Sequence, residues 1–264
     1  MMSGIERPIT VFVDADNTLW DTNQVFAGAQ LALLAQIEAA VGLKAAERDR
    51  LSYVRACDQA IAARHHDGLR YPPHLLLRAL VFALQGETSE AAARAAWSNH
   101  LPSMLGRADE EEIVQIYFAA LRAPPGLRSG VIEGLVRLEK ANATVLIVTE
   151  AASARVEETA TKLGLAGHFT RVIEGKKRPD LYRRVLRLSG SPAAAYMIGD
   201  QLDRDIAPAK EAGLTTIYFP GGFVPRWTPD KDKIGPDFQV SDLAEAAAII
   251  LAGEEARSDH ILRA

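Results

Sequence analysis

Apolar positions recur with two different periods along this chain, and the two textures occupy separate stretches. Val11 and Val13 flank Phe12, so the first run reads as a buried strand of a parallel sheet. From Asn23 to Leu121 no convincing strand follows, and apolar residues recur at helical spacing. Leu31, Leu34, Ile37 and Val41 define a helix that Gly42 ends. A second helix is expected over 45–65, stopping near Gly68. Pro72 and Pro73 open a third, with Leu76, Leu80, Val81 and Leu84 on its apolar face. Thr88 or Ser89 caps a fourth that runs through Trp97 to Leu101, and a fifth begins at Asp109 with Ile113, Ile116, Tyr117, Ala120 and Leu121. The break at Ala123-Pro124-Pro125-Gly126 reads as a linker or hinge.

From Leu127 onward helices and strands alternate. Strands are expected over 144–148, 169–173, 193–198 and 215–219, with a short element at 237–240. Between them lie helices over 129–140 and 155–163, one opened by Pro179 and Asp180, and one over 205–212. Asp242 and Glu245 have capping-box spacing at the start of a terminal helix. This order predicts an α/β protein with an open, mostly parallel Rossmann-like sheet, helices on both faces and an all-helical cap domain. Five or six strands are too few for a (β/α) barrel. The expected division is a core of residues 1–22 and 122–264, with 23–121 as the inserted cap. Insertion directly after the first strand predicts a cap near that strand's carboxyl end, the edge where such sheets keep their sites.

The 264 residues are 48% apolar and 24% charged, ordinary for a globular protein. A formal charge of −4, with no basic run interleaved with aromatics, argues against nucleic acid as a partner. The single cysteine, Cys57, excludes an internal disulfide framework and fits a reducing compartment; it reads as a packed side chain on a helix. No uninterrupted apolar segment approaches about 18 residues, and the amino terminus lacks a secretory pattern, so a cytoplasmic protein with no membrane partner is expected.

The first strand ends in two acids, Asp14 and Asp16, with the hydroxyl of Thr18 two residues beyond. A core tolerates such acids only beside a cation or polar partners. A second apolar strand ends in Gly199-Asp200, followed by Asp203 and Asp205. If the strands are neighbours, Asp14, Asp16, Asp200 and Asp205 form an acidic pocket whose repulsion a hard divalent ion would relieve, and Mg²⁺ suits carboxylate oxygens best. Two further strand ends supply Thr149 and Glu150, and the cations Lys176, Lys177 and Arg178. Thr149 caps the next helix or holds a phosphate, and the basic residues form a solvated turn or neutralise the same phosphate.

Together these segments resemble the haloacid dehalogenase-like hydrolase superfamily, in particular its phosphatases with a helical cap inserted after the first strand. The resemblance rests on Asp14-Ala-Asp16-Asn-Thr18, the strand ending at Thr149, the Lys-Arg-Pro segment, and Gly199-Asp200 followed by Asp205. It implies Mg²⁺-dependent hydrolysis of a small phosphate monoester through an aspartyl-phosphate. Asp14 would be the nucleophile and Asp16 the acid and base, with Thr18 steadying the turn. Asp14, Asp200 and the Asp16 backbone carbonyl would bind the metal, with Asp205 or Asp203 completing the site. Thr149, Glu150 and Lys177 would hold the phosphate, with Lys176 and Arg178 as competitors for the lysine's place. Glu150 departs from the usual pattern, in which Asn or Gly follows the hydroxyl residue. A phosphomutase, a haloacid dehalogenase or a non-catalytic phosphate binder shares most of these residues; a retained Asp16 favours phosphate ester hydrolysis. Specificity is expected from the insert. Near its start Trp20, Asp21 and Asn23 leave the turn, and within it Arg64, His65, His66, Arg70 and Tyr71 form a polar-aromatic patch. Gly221 to Trp227 forms a loop at the mouth or a closure of the rim. The expected partner is a small phosphorylated metabolite, and the chain is a monomer or homodimer.

Overall fold

The computed structural model describes residues 9–64, 71–98, 104–190, 192 and 194–263, with side chains in the terminal helix described as far as Glu255. Contacts divide the chain into two units: 1–23, 125–224 and 228–264 form one, and 24–124 with 225–227 form the other.

The first unit is built on six parallel strands in the order β3-β2-β1-β4-β5-β6. They are β1 (Thr10–Val13), β2 (Thr144–Thr149), β3 (Arg171–Glu174), β4 (Ala195–Gly199), β5 (Thr215–Tyr218) and β6 (Phe238–Gln239). Alternation of side chains sends neighbouring residues of each strand into different cores. Val11, Val13, Val145, Ile147 and Ile198 pack with Val131, Leu135 and Leu138 of α6 (Val131–Lys140) and Leu243, Ala246 and Ile250 of α11 (Leu243–Arg263). Phe12, Leu146, Val148 and Met197 face Tyr182 of α8 (Pro179–Leu188) and Ala209 of α9 (Ala207–Glu211). Phe12 and Tyr182 meet edge to face at 5.6 Å, an arrangement that suits the ring quadrupoles. Helices therefore cover both faces, and α7 (Ser153–Lys162) adds Val156 and Ala160 to the first core.

The second unit holds α1 (Thr22–Val41) from its third residue on, α2 (Arg50–Ala62), α3 (Pro73–Leu84), α4 (Ser89–Trp97) and α5 (Arg107–Ala120). Its core includes Leu33, Leu34, Ile37, Val54, Ile61, Leu76, Leu77, Leu80, Ala92 and Val114. By length and composition α1 could cross a bilayer; Ala29, Leu33, Leu34 and Ile37 of it pack into this core, and Phe26 and Leu31 are exposed. Thr88 accepts from the Ala91 backbone N–H and so caps α4, while Asp49 does the same for α2 through Ser52. Residues 65–70 and 99–103, which include His65, His66, Arg70 and Leu101, lie outside the described residues.

Two local differences from the sequence expectation have simple causes. The helix expected over 205–212 begins earlier, as a single π-helical turn, Leu202–Ile206, before α9. A short helix, α10 (Lys231–Ile234), falls in a polar stretch without an apolar period; Asp230 caps it by accepting from Asp232 N.

In the helical unit a buried acid, Glu38, is met by cations whose side chains remain exposed. Glu38 is 2% exposed and accepts hydrogen bonds from Arg50 at 2.7 and 2.9 Å, from the Ala45 backbone at 2.9 Å and from Lys44 at 3.2 Å. The Arg50 hydrogen bonds, against the effect of burial, hold its carboxyl down at about 2. Because the folded value lies below the ordinary one, this stabilisation is complete above the unfolded pKa and is lost as pH falls towards 2. Glu38→Gln should destabilise the full chain in urea titration by about 1–3 kcal/mol near neutral pH, since an amide sets donors against donors. The gap between wild type and variant should narrow as acid protonates Glu38.

Candidate active site

Strand order decides which acids meet. β4 lies beside β1 with Val13 opposite Ile198, and the Asp14 backbone N–H still donates to the Ile198 carbonyl at 2.9 Å. Asp14 and Asp200 therefore leave the same edge of the sheet on adjacent strands. The π-helical turn brings Asp205 back to them: Asp205 N and Ile206 N both donate to the Gln201 carbonyl, and the Asp205 carboxylate accepts from Gln201 N at 2.8 Å. Only glycine fits at 199, because a Cβ there would lie 2.4 Å from the Asp205 Cβ. One carboxylate oxygen from each of Asp14, Asp200 and Asp205 lies within 4.8 Å of the other two. Asp203, their competitor, is exposed.

Among the three neighbouring basic residues, Lys177 enters this cluster; Lys176 and Arg178 are exposed. Lys177 Nζ donates to Asp14 Oδ1 and, at 2.6 Å, to Asp205 Oδ1, with 6% of its side chain exposed. Burial alone would lower its pKa, but the charges of Asp14 and Asp205 and their hydrogen bonds outweigh that and raise it. Thr18 is fully buried and its hydroxyl reaches Asp14 Oδ2 at 3.3 Å, tying the turn to its first acid. Thr149 is buried at the end of β2, where its Oγ1 accepts from Ala151 N at 3.0 Å and keeps its own proton to donate. The Glu150 carboxylate is exposed, accepts from the Lys177 backbone at 3.2 Å and meets Arg204 at 3.5 Å. An acceptor-only group engaged in this way braces the lysine loop. Asp16 lies two residues past Asp14 with its carboxylate held by Trp20 and Thr22.

The electrostatics of the cluster favour a cation. Burial, then the charges of Asp14 and Asp205, push Asp200 up to about 9. Burial raises Asp14 to about 7 even though Lys177 opposes it. Asp200 Oδ1 is buried without a hydrogen-bond partner among the described residues. A buried, unpartnered carboxylate oxygen beside two more acids is what a divalent metal would satisfy, and an all-oxygen donor set selects a hard ion such as Mg²⁺.

Sequence reading passed over Arg128, which carries no motif. Its guanidinium donates to the Asn17 carbonyl and, at 2.8 Å, to the Pro220 carbonyl, and it lies 3.7 Å above the Phe219 ring. It thereby joins the Asp14 turn, where Asn17 adopts φ 63°, to the loop after β5. In that loop a Cβ on Gly221 would stand 2.5 Å from Asp200 Oδ2, so the backbone closes directly on the acid. The same loop continues into the helical unit, where Arg226 N donates to Gln59 at 2.9 Å and its side chain meets Glu90 at 3.1 Å. Cys57 is buried there and its thiol is pushed up to about 12, chiefly by burial, so it is no nucleophile. Of the polar-aromatic patch, Tyr71 donates to Asp58.

Residues 10–213 match the family model described as haloacid dehalogenase-like hydrolase. A glyceraldehyde 3-phosphate phosphatase from Pyrococcus furiosus is 32% identical over 112 residues, 40% of this chain and 45% of the relative. A phosphoserine phosphatase from Thermus thermophilus is 34% identical over 89 residues, 31% of this chain and 34% of the relative. The chain thus spans less than half the length of either. A haloacid dehalogenase-like family hydrolase from Xanthomonas campestris shares the fold with a TM-score of 0.58 and 23% identity, over 94% of this chain and 96% of that one.

Both raised carboxyl groups favour the folded state most below their ordinary pKa, and that contribution is lost as pH rises through about 7 and about 9. The metal-free protein should therefore lose stability between about pH 6 and pH 9, and Mg²⁺ should raise the melting temperature more at the higher pH. Differential scanning fluorimetry reads both effects, and Asp200→Asn should abolish the response to Mg²⁺.

Proposed function

Because the chain belongs to the haloacid dehalogenase-like hydrolases, we propose that it is a Mg²⁺-dependent phosphatase acting on a small phosphate monoester. The observation that carries this reading is the pairing of Asp14, inside the carboxylate cluster, with a second acid, Asp16, held on the same turn. Attack at carbon needs no acid at that place; expelling an alkoxide from phosphorus does. In this reading Asp14, Asp200, Asp205 and the Asp16 carbonyl would hold the metal, which would supply positive charge against which a phosphate can approach an anionic nucleophile.

The remaining chemistry belongs to the side chains. The Asp14 carboxylate attacks phosphorus in line with the departing oxygen, forming an aspartyl-phosphate. Asp16 gives its proton to the leaving oxygen and then takes one from the water that attacks the phosphorus in the second step. Thr149 donates its hydroxyl and Lys177 its ammonium to the non-bridging oxygens, whose charge is greatest as the bonds exchange. Lys177 already pairs with Asp14 and Asp205, so it is placed to share its charge with an arriving phosphate. The substrate class, a small phosphorylated metabolite, accords with the two relatives, whose names specify different small phosphate esters.

With Mg²⁺, the purified protein should release phosphate over many turnovers from p-nitrophenyl phosphate and from at least one member of a phosphorylated-metabolite panel. Haloacids should yield no halide. Asp14→Asn should lower phosphate release by at least about a thousandfold while leaving the fold intact by circular dichroism. Undiminished release would remove the nucleophile assigned here.

A further inference from the structure

Asp16 accepts two hydrogen bonds on one oxygen. The Trp20 indole Nε1 reaches Oδ1 at 2.8 Å and the Thr22 hydroxyl reaches the same atom at 2.7 Å. Among the described residues, no hydrogen bond falls on Oδ2. This asymmetry does not depend on Asp16 itself, because the donors are fixed from elsewhere. Trp20 is 2% exposed and packed in the core with Val131, Leu135 and Leu243. Its backbone bridges Leu127, with Arg128 N donating to Leu19 O at 3.0 Å and Asp21 N to Gly126 O at 2.8 Å on either side. Its carbonyl also accepts from Asn17 N at 2.7 Å. An indole N–H can only donate, so a buried tryptophan needs an acceptor, and here the acceptor is the acid beside the nucleophile.

We propose that Trp20, seconded by Thr22, is a positioning residue that commits Asp16 Oδ1 to the protein and leaves Oδ2 as the oxygen that exchanges a proton with the substrate. The inference rests on the reading of Asp16 as acid and base. A carbonyl-type oxygen offers two lone pairs to two donors, whereas a hydroxyl oxygen accepts them poorly, so the protonated form carries its hydrogen on Oδ2. As the bond from phosphorus to the bridging oxygen breaks, its electron pair stays on that oxygen. That oxygen takes the Oδ2 proton, and Asp16 is left as a carboxylate whose Oδ1 keeps both donors. In the second step Oδ2 receives a proton from the attacking water as the bond from phosphorus to Asp14 breaks, and the Asp14 carboxylate is regenerated. Packing alone would ask only for a large ring at position 20; this account asks for its N–H.

The test measures kcat/KM with Mg²⁺ for phenyl phosphates graded from p-nitrophenyl to p-methoxyphenyl, since that ratio reports events up to departure of the phenol. Loss of proton donation matters most for the poorest leaving group, whereas a general loosening of the site lowers every member alike. Trp20→Phe should cost about tenfold more at the p-methoxyphenyl end than at the p-nitrophenyl end, with KM little changed. Thr22→Val, which removes one hydroxyl and keeps its shape, should steepen the series in the same direction; it serves as the test if the tryptophan variant does not fold. Asp16→Asn should steepen the series most. Equal losses across the series for Trp20→Phe and Thr22→Val, beside a steep Asp16→Asn, would overturn the positioning role and leave the acid standing. A flat series for Asp16→Asn would overturn both.

Discussion

Three buried carboxylates converge at the carboxyl edge of β1 and β4, and one ammonium, Lys177, pairs with two of them, Asp14 and Asp205. Were all three acids ionised, Lys177 in contact and Arg128 acting on Asp200 from further off would stand against three buried negative charges. Burial first, and then the neighbouring acids, raise the Asp14 and Asp200 pKa values, and Asp200 Oδ1 is left without a hydrogen-bond partner among the described residues. A divalent cation would relieve that cost, and in the proposed function a phosphate would then bring negative charge to the lysine and a hydroxyl.

Holding such a cluster together requires structure whose only purpose is geometric. Gly199 and Gly221 let backbone approach Asp205 and Asp200 more closely than any side chain would permit. The π-helical turn returns Asp205 to the strand end, and Arg128 pins the Asp14 turn and the loop after β5 to each other through their carbonyls. None of these groups need touch a substrate, yet each sets where an acid stands. Glu38 shows the contrasting case in the helical unit, where a buried acid is fully satisfied by Arg50, Lys44 and a backbone N–H and its pKa falls rather than rises.

Much of the sheet was legible because apolar strands ending abruptly in acids are a pattern that periodicity alone exposes. An open, mostly parallel sheet of five or six strands with helices on both faces follows from that alternation, as does a helical insert expected over 23–121; the structure has six parallel strands and a helical unit of 24–124 with 225–227. Other features depended on three-dimensional detail. Two adjacent lysines have equal claims in a sequence, and only the path of the loop after β3 sends Lys177 inward and leaves Lys176 exposed. Asp203 and Asp205 differ by a widened helical turn that no hydrophobic period announces. Trp20 packs in the core, as an apolar side chain after the turn would, but the indole N–H on Asp16 is invisible to a pattern of apolar positions. Arg128 gave no signal, since an arginine after a Pro-Gly break is unremarked until its carbonyl partners are seen.

The central claim is that one divalent ion belongs between Asp14 and Asp200. Crystals grown with Mn²⁺ and measured at its absorption edge would locate the ion without reference to activity. The account predicts a single strong anomalous peak within coordinating distance of a carboxylate oxygen from each of those two residues. A peak elsewhere, or none at metal concentrations that support turnover, would contradict it.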